Sequence, residues 1–205
     1  MGYEWLSAPA SEIAGTAAGL LGWEIDAHGV RIRLTEVEAY SGQGEDPASH
    51  AHRGVTKRNE VMFGPAGYLY AYFIYGTHWC LNIVCGEPGR AAAVLFRAGA
   101  VLDGLEVART RRPAARNDAD LARGPAKLCS ALAVDGTVTG LSAVDSAGPV
   151  RLLPPSRPPM AAEIAAGPRV GVASAHDVPW RFWLAGDPTV SAYRRHTPRV
   201  RRNAS

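Results

Sequence analysis

Two carboxylates in one short run, Glu36 and Glu38 of TEVEAY at residues 35–40, have the spacing of groups that act on a common target. If residues 31–40 form a strand, its two-residue period sets Ile32, Leu34, Glu36, Glu38 and Tyr40 on one face. Two acids on a face that opens with Ile and Leu should repel one another and, if buried, hold their protons to higher pH. Such a conflict marks a site. The competing reading is that the strand twists at Thr35 and leaves both glutamates in water.

A second run is aromatic. In GYLYAYFIYGTHWCLNIV at residues 67–84, Tyr68, Tyr70 and Tyr72 alternate with Leu69, Ala71 and Phe73, the pattern of a strand with two unlike faces. Tyr75-Gly76 then turns the chain, and a return strand over residues 77–84 completes a hairpin. A large ring at such a tip has no core to cover it, so Tyr75 either acts as a wedge or folds back onto its own sheet. The histidines and cysteines nearby, His50, His52, His78, Cys80 and Cys85, are spaced H-x-H and H-x-C-x4-C, which matches no common zinc pattern, and no metal is expected.

The remaining elements must position these groups. Residues 7–21 read as a helix with Ser11 as N-cap, an apolar stripe of Ile13, Ala17, Leu20 and Leu21, and a stop at Gly22. Strands are expected at residues 23–25 and 30–40 about a turn at 27–29, and at 91–97, ending in Arg97. The polar loop 41–59 is too long for a mere turn and is expected to line the site. Residues 104–112 look helical, and Pro125 suits the first position of a later helix. The proline-rich stretch 150–168 reads as a surface excursion within one domain, and Arg194, Arg195, Arg199, Arg201 and Arg202 as a disordered tail over about 194–205 with non-specific affinity for phosphate.

A chain of 205 residues, 47% hydrophobic and 20% charged, is of ordinary globular composition and long enough to bury a core. A net charge of +3 permits a polyanionic partner without requiring one. No apolar run is long enough to cross a membrane and no signal-type core follows the N-terminus, so a cytoplasmic protein is expected. Three cysteines without an export signal argue against a disulfide framework.

Taken in order, TEVEAY at 35–40, HAHRG at 50–54, RN at 58–59, YLYAYFIYG at 68–76, LN at 81–82 and LFRA at 95–98 resemble the alkyladenine (3-methyladenine) DNA glycosylase family. GPAKLCSAL at 124–132, PRVGV at 168–172 and WRFWLAGDPTVS at 180–191 continue the likeness. It spans about 32–191, weaker at 110–123 and 137–166. No one motif is decisive; the ordered set is specific.

The resemblance implies a role for each candidate. Glu38 is the base that activates water for attack on the sugar, and Arg97 helps hold that water and keeps Glu38 ionised. Tyr40, His50 and Tyr72 form walls around a base flipped from the duplex, electron-rich faces that favour cationic alkylated purines. Asn82 crowds the amino group of guanine, and Tyr75 fills the gap left in the stack. Arg58 and Lys127 are candidates for backbone phosphate contacts. The loop from Ser41 to His50 is about one residue longer than in some members, which bears on the pose of His50.

The fold expected is α+β, one domain over residues 1–205 with a curved, mostly antiparallel sheet, surrounding helices and a protruding DNA-inserting β-hairpin. The partner implied is double-stranded DNA containing damaged purines, with no cofactor, no membrane and a monomeric state, in the nucleoid if the source is bacterial. The alternative is a non-catalytic damaged-DNA binding module, which would have had no need to retain both Glu38 and Arg97. An RNA-directed role also suits stacking tyrosines but leaves that pairing unexplained.

Overall fold

The computed structural model describes residues 2–197. Arg199, Arg201 and Arg202 of the expected tail lie outside those residues. Arg194 lies within them, and its carbonyl accepts a hydrogen bond from the Gly171 N–H at 3.0 Å.

The centre of the fold is a strand of eleven residues, β2 (Val30–Tyr40), and its equally long antiparallel neighbour β5 (Ala93–Asp103). Beyond β5 lie β4 (His78–Val84) and β3 (Leu69–Ile74), the two arms of the aromatic hairpin. On the other side β2 has two successive partners. Its first residues pair with β1 (Glu24–Ala27), which carries β6 (Val150–Leu153); Glu36, Val37 and Glu38 pair instead with β8 (Arg181–Leu184), which carries β7 (Ile164–Gly167). All these pairings are antiparallel, and together with the helices they make an α+β fold.

The sheet forks at two opposed irregularities. The register runs Leu34↔Gly99, Glu36↔Ala98, Val37↔Phe96, so Thr35 is the extra residue on β2 and Arg97 the extra residue on β5. Bulges re-aim side chains. Ile32 and Leu34 belong to the apolar core, and after the bulge so do Val37 and Ala39. Glu36, Glu38 and Tyr40 therefore point away from the face of Ile32 and Leu34, which corrects the uninterrupted alternation expected for this strand. The chain does shift at Thr35, but neither glutamate is solvated: both are 0% exposed. Gly99 permits the close approach, since a Cβ there would overlap Ile32 and the Arg33 carbonyl.

The core packs α1 (Ile13–Gly19) and α3 (Pro125–Leu132) on the apolar face, with α2 (Leu105–Arg111) against α3. Each fully buried Leu or Ile contributes about 1.5–3 kcal/mol. Ser11 does not cap α1; it sits in a 3₁₀ turn over Ala10–Glu12, and the helix is correspondingly shorter than its apolar stripe suggests. The stop at Gly22 is present, with φ +82°. Pro125 opens α3, and β5 continues past Arg97 for six residues, to Asp103. Among the described residues no helix is long and apolar enough to cross a membrane.

Candidate active site

The hairpin repeats the two-faced arrangement of β2. Leu69, Ala71, Leu81 and Ile83 join the main core, while Tyr70 and Val84 form a second, smaller cluster with Met62, Ala51, Ala91 and Ala93. Tyr70 lies opposite Asn82 and Tyr72 opposite Cys80. On that second face opens a cleft of about 70 Å³, lined by Tyr40 from β2, His50 from the 41–59 loop, Tyr70 and Tyr72 from β3, and Asn82 from β4. The structure thus gathers all four candidate base-binding residues, Tyr40, His50, Tyr72 and Asn82, around one opening.

Each wall is fixed from behind. His50 meets Tyr72 edge to face at 4.6 Å, and its Nδ1 lies 3.0 Å from the Tyr70 hydroxyl. Burial and the nearby Arg58 hold its imidazole below the usual histidine range, so the ring is neutral at pH 7. The Asn82 amide donates to the Tyr70 carbonyl at 2.9 Å. Asn59, almost fully buried, donates to the His50 and Gly54 carbonyls at 2.8 and 3.0 Å and accepts from Thr56, which holds the loop that carries His50. Tyr40 stacks on the Arg169 guanidinium at 4.7 Å, and burial beside the Glu38 charge pushes its phenol well above the usual tyrosine range.

Glu38 lies directly behind the Tyr40 hydroxyl, which donates to its Oε2 at 2.8 Å. Its Oε1 accepts from the Val170 N–H at 2.7 Å and faces Arg97 Nη1 at 3.3 Å. A carboxylate can accept about four hydrogen bonds, so one position on Oε2 is left for a further donor. Arg97 also gives its Nε to Glu36 at 2.8 Å. Glu36 takes Arg181 Nε at 2.7 Å on the same oxygen, with Ser191 N–H and Oγ at 2.7 and 2.9 Å. Burial alone would raise the Glu36 carboxyl, but Arg97, Arg181 and the Ser191 bonds outweigh it and hold the group below the usual carboxylate range. This reverses the shift expected from two neighbouring acids.

The other candidates are placed as follows. Tyr75 sits at the tip, 83% exposed, with φ +55°, followed by Gly76 at +69°. The Thr77 N–H to Ile74 carbonyl bond of 3.2 Å closes a turn whose two central residues are both left-handed. A tyrosine pays about 1–2 kcal/mol for that conformation, which glycine or asparagine would largely avoid. The ring does not fold back onto the sheet. Arg58 lies over the Tyr72 ring at 5.8 Å and donates to the Phe73 carbonyl, beside the hairpin. Lys127 is ion-paired with Asp120 in the first turn of α3 and does not line the cleft.

Sequence reasoning missed three buried groups. Arg169 is sandwiched between Tyr40 and Trp180 and doubly paired with Asp46 at 2.6 and 2.8 Å, and Arg181 lies over Trp183 at 4.6 Å. Arg181 stands between two tryptophans in WRFW, a signal that could have identified it, whereas nothing in PRVGV marks Arg169. Among the described residues no group of His, Cys, Asp and Glu is arranged to hold a metal.

Comparison with known proteins accords with this geometry. The family model described as methylpurine-DNA glycosylase matches residues 5–188. A protein of Nocardia farcinica is 56% identical over 188 residues, covering 90% of this chain and 88% of its own, and one of Streptomyces avermitilis is 54% identical over 175, covering 84% and 81%. A Mycobacterium tuberculosis protein is 47% identical over 190 residues, covering 91% and 92%. All three bear the name "Putative 3-methyladenine DNA glycosylase". With a match that runs across the cleft, the hairpin and both charged strands, the chain belongs to the methylpurine-DNA glycosylase family.

Proposed function

We propose that this protein excises alkylated or otherwise modified purines, such as 3-methyladenine, 7-methylguanine, hypoxanthine or ethenoadenine, from duplex DNA by water-mediated hydrolysis, as a monomer and without strand cleavage. The observation that carries the reading is Glu38 hydrogen-bonded behind an aromatic cleft whose own hairpin ends in the exposed Tyr75.

Tyr75 enters the stack and occupies the gap left by the flipped nucleotide. Stacking on a base contributes about 1–3 kcal/mol, which offsets the cost of unpairing. The base enters between Tyr40, His50 and Tyr72, whose neutral faces attract a cationic purine. Asn82 stands where a guanine amino group would have to fit.

In the chemical step a water oxygen bonds to the sugar C1′ while the glycosidic bond breaks, its electron pair leaving with the base. The water's proton passes to Glu38, through the open position on Oε2. A cationic alkylated purine departs neutral and needs no acid, so one carboxylate suffices where sugar hydrolases use two. Arg97 offsets the negative charge of Glu38 and, with Tyr40 and Val170, fixes its orientation.

Single-turnover release of free base from a duplex carrying one modified purine tests the reading, with Glu38→Gln compared to the native chain. The native protein should release base, and Glu38→Gln should bind the duplex but lose about 100-fold or more in rate. If both bind and neither releases base from methylated, deaminated or etheno duplexes, the chain is a recognition module.

A further inference from the structure

Arg97 is shared. Its Nε makes a short bond to Glu36 at 2.8 Å, while Nη1 stays 3.3 Å from Glu38 Oε1, longer than the 2.7–2.9 Å usual for a charge-assisted bond. Nothing in the reach of an arginine forbids the reverse. The difference arises because Glu36 is itself locked, holding Arg181 and both donors of Ser191 as well. Two cations and two anions, Arg97, Arg181, Glu36 and Glu38, thus form one buried set with no net charge, every member under 10% exposed.

We propose that Glu36 and Arg181 are positioning residues that set how closely Arg97 pairs with Glu38, Glu36 holding it back and Arg181 limiting that pull, so that the base stays ionised yet able to take a proton. The inference rests on the glycosylase reading above. A guanidinium in bidentate contact with Glu38 would keep it charged but would also oppose its protonation by water. Without any cation, burial would favour the protonated acid, which is useless as a base. Glu36 sets the balance between these extremes. Arg181 supplies the second positive charge that keeps Glu36 from drawing Arg97 away altogether.

The other groups that face Glu38 do not share this role. Tyr40 from its own strand donates a hydrogen bond, Tyr72 and Cys80 from the hairpin stay neutral because burial pushes both up, and the charge of Arg169 is matched by Asp46. Arg97 and, through it, Glu36 and Arg181 are left as the adjustable charges.

The test is the acid limb of single-turnover base release from a 7-methylguanine duplex, whose lesion is cationic and needs no added proton. Thermal melting establishes which variants are folded. Glu36→Gln removes an anion and should move the midpoint of the limb to lower pH; Arg181→Gln removes a cation and should move it to higher pH, each by about one unit. Glu36→Asp, which keeps the charge, should restore the midpoint. Midpoints that do not move, or that move the same way in both variants, overturn the proposal, because loss of a mere scaffold lowers stability and rate without opposite shifts. Should Glu36→Gln fail to fold, Arg181→Gln decides alone: an upward shift supports the assignment and an unmoved midpoint refutes it. Absence of base release by the native protein would instead refute the underlying glycosylase reading.

Discussion

The two faces of β2 and β5 are buried to the same degree by opposite physics. On one, Ile32, Leu34, Val37, Val94 and Phe96 are all 0% exposed and held by apolar contact. On the other, Glu36 and Glu38 are equally inaccessible and are held by Arg97 and Arg181. The apolar face follows shape and volume, and adapts to substitutions that preserve both. The charged face follows a count: each ion was taken out of water at a cost of several kcal/mol, recovered only while its partner stays. Burial alone therefore does not distinguish a core from a site. The identity of the partner does.

Substitutions of matched size should expose this difference. Arg169→Met leaves Asp46 as an unpaired buried anion and should destabilise by about 3–5 kcal/mol in urea unfolding, whereas Leu34→Met should cost less than about 1.5 kcal/mol. Equal costs would mean that the charged face is more hydrated than its burial implies. Next in size is the hairpin tip. Tyr75→Gly should weaken binding to a lesion duplex by about 1–3 kcal/mol while raising thermal stability slightly, because glycine relieves the left-handed turn. A loss of both stability and binding would make Tyr75 a packing residue.

The smallest effect separates the faces by pH. Glu36 is held below its ordinary value of 4.5 by the arginines, so in the unfolded chain it binds its proton at higher pH than in the folded one. Its contribution to stability is complete above about pH 4.5 and is lost as pH falls through the lower folded value. Stability of the native chain should decline over that acid range, and Glu36→Gln should lack that part of the decline. The apolar face contributes no such slope.

Much of this was legible in the residues. The period-two runs placed β2 and both hairpin arms and Tyr75-Gly76 located the turn, whereas Tyr40, His50, Tyr72 and Asn82 stand out as a set only through the family resemblance. Alternation and a turn that requires left-handed residues are local properties, which is why the strands and the tip could be read from the residues themselves. Ser11 misled because helix caps compete with 3₁₀ turns over one or two residues, which propensity resolves poorly.

Tertiary structure alone decided what the two glutamates became. A strict alternation on β2 cannot anticipate that Thr35 and Arg97 bulge against one another, because a bulge is a property of two paired strands. Nor can TEVEAY reveal that Arg181 and Ser191, more than 140 residues away, arrive to neutralise Glu36. The chain by itself determined which groups were available for chemistry. The partners and orientation of the two glutamates were set by long-range pairing, since the free energy of a buried charge depends on what stands within a few ångströms of it.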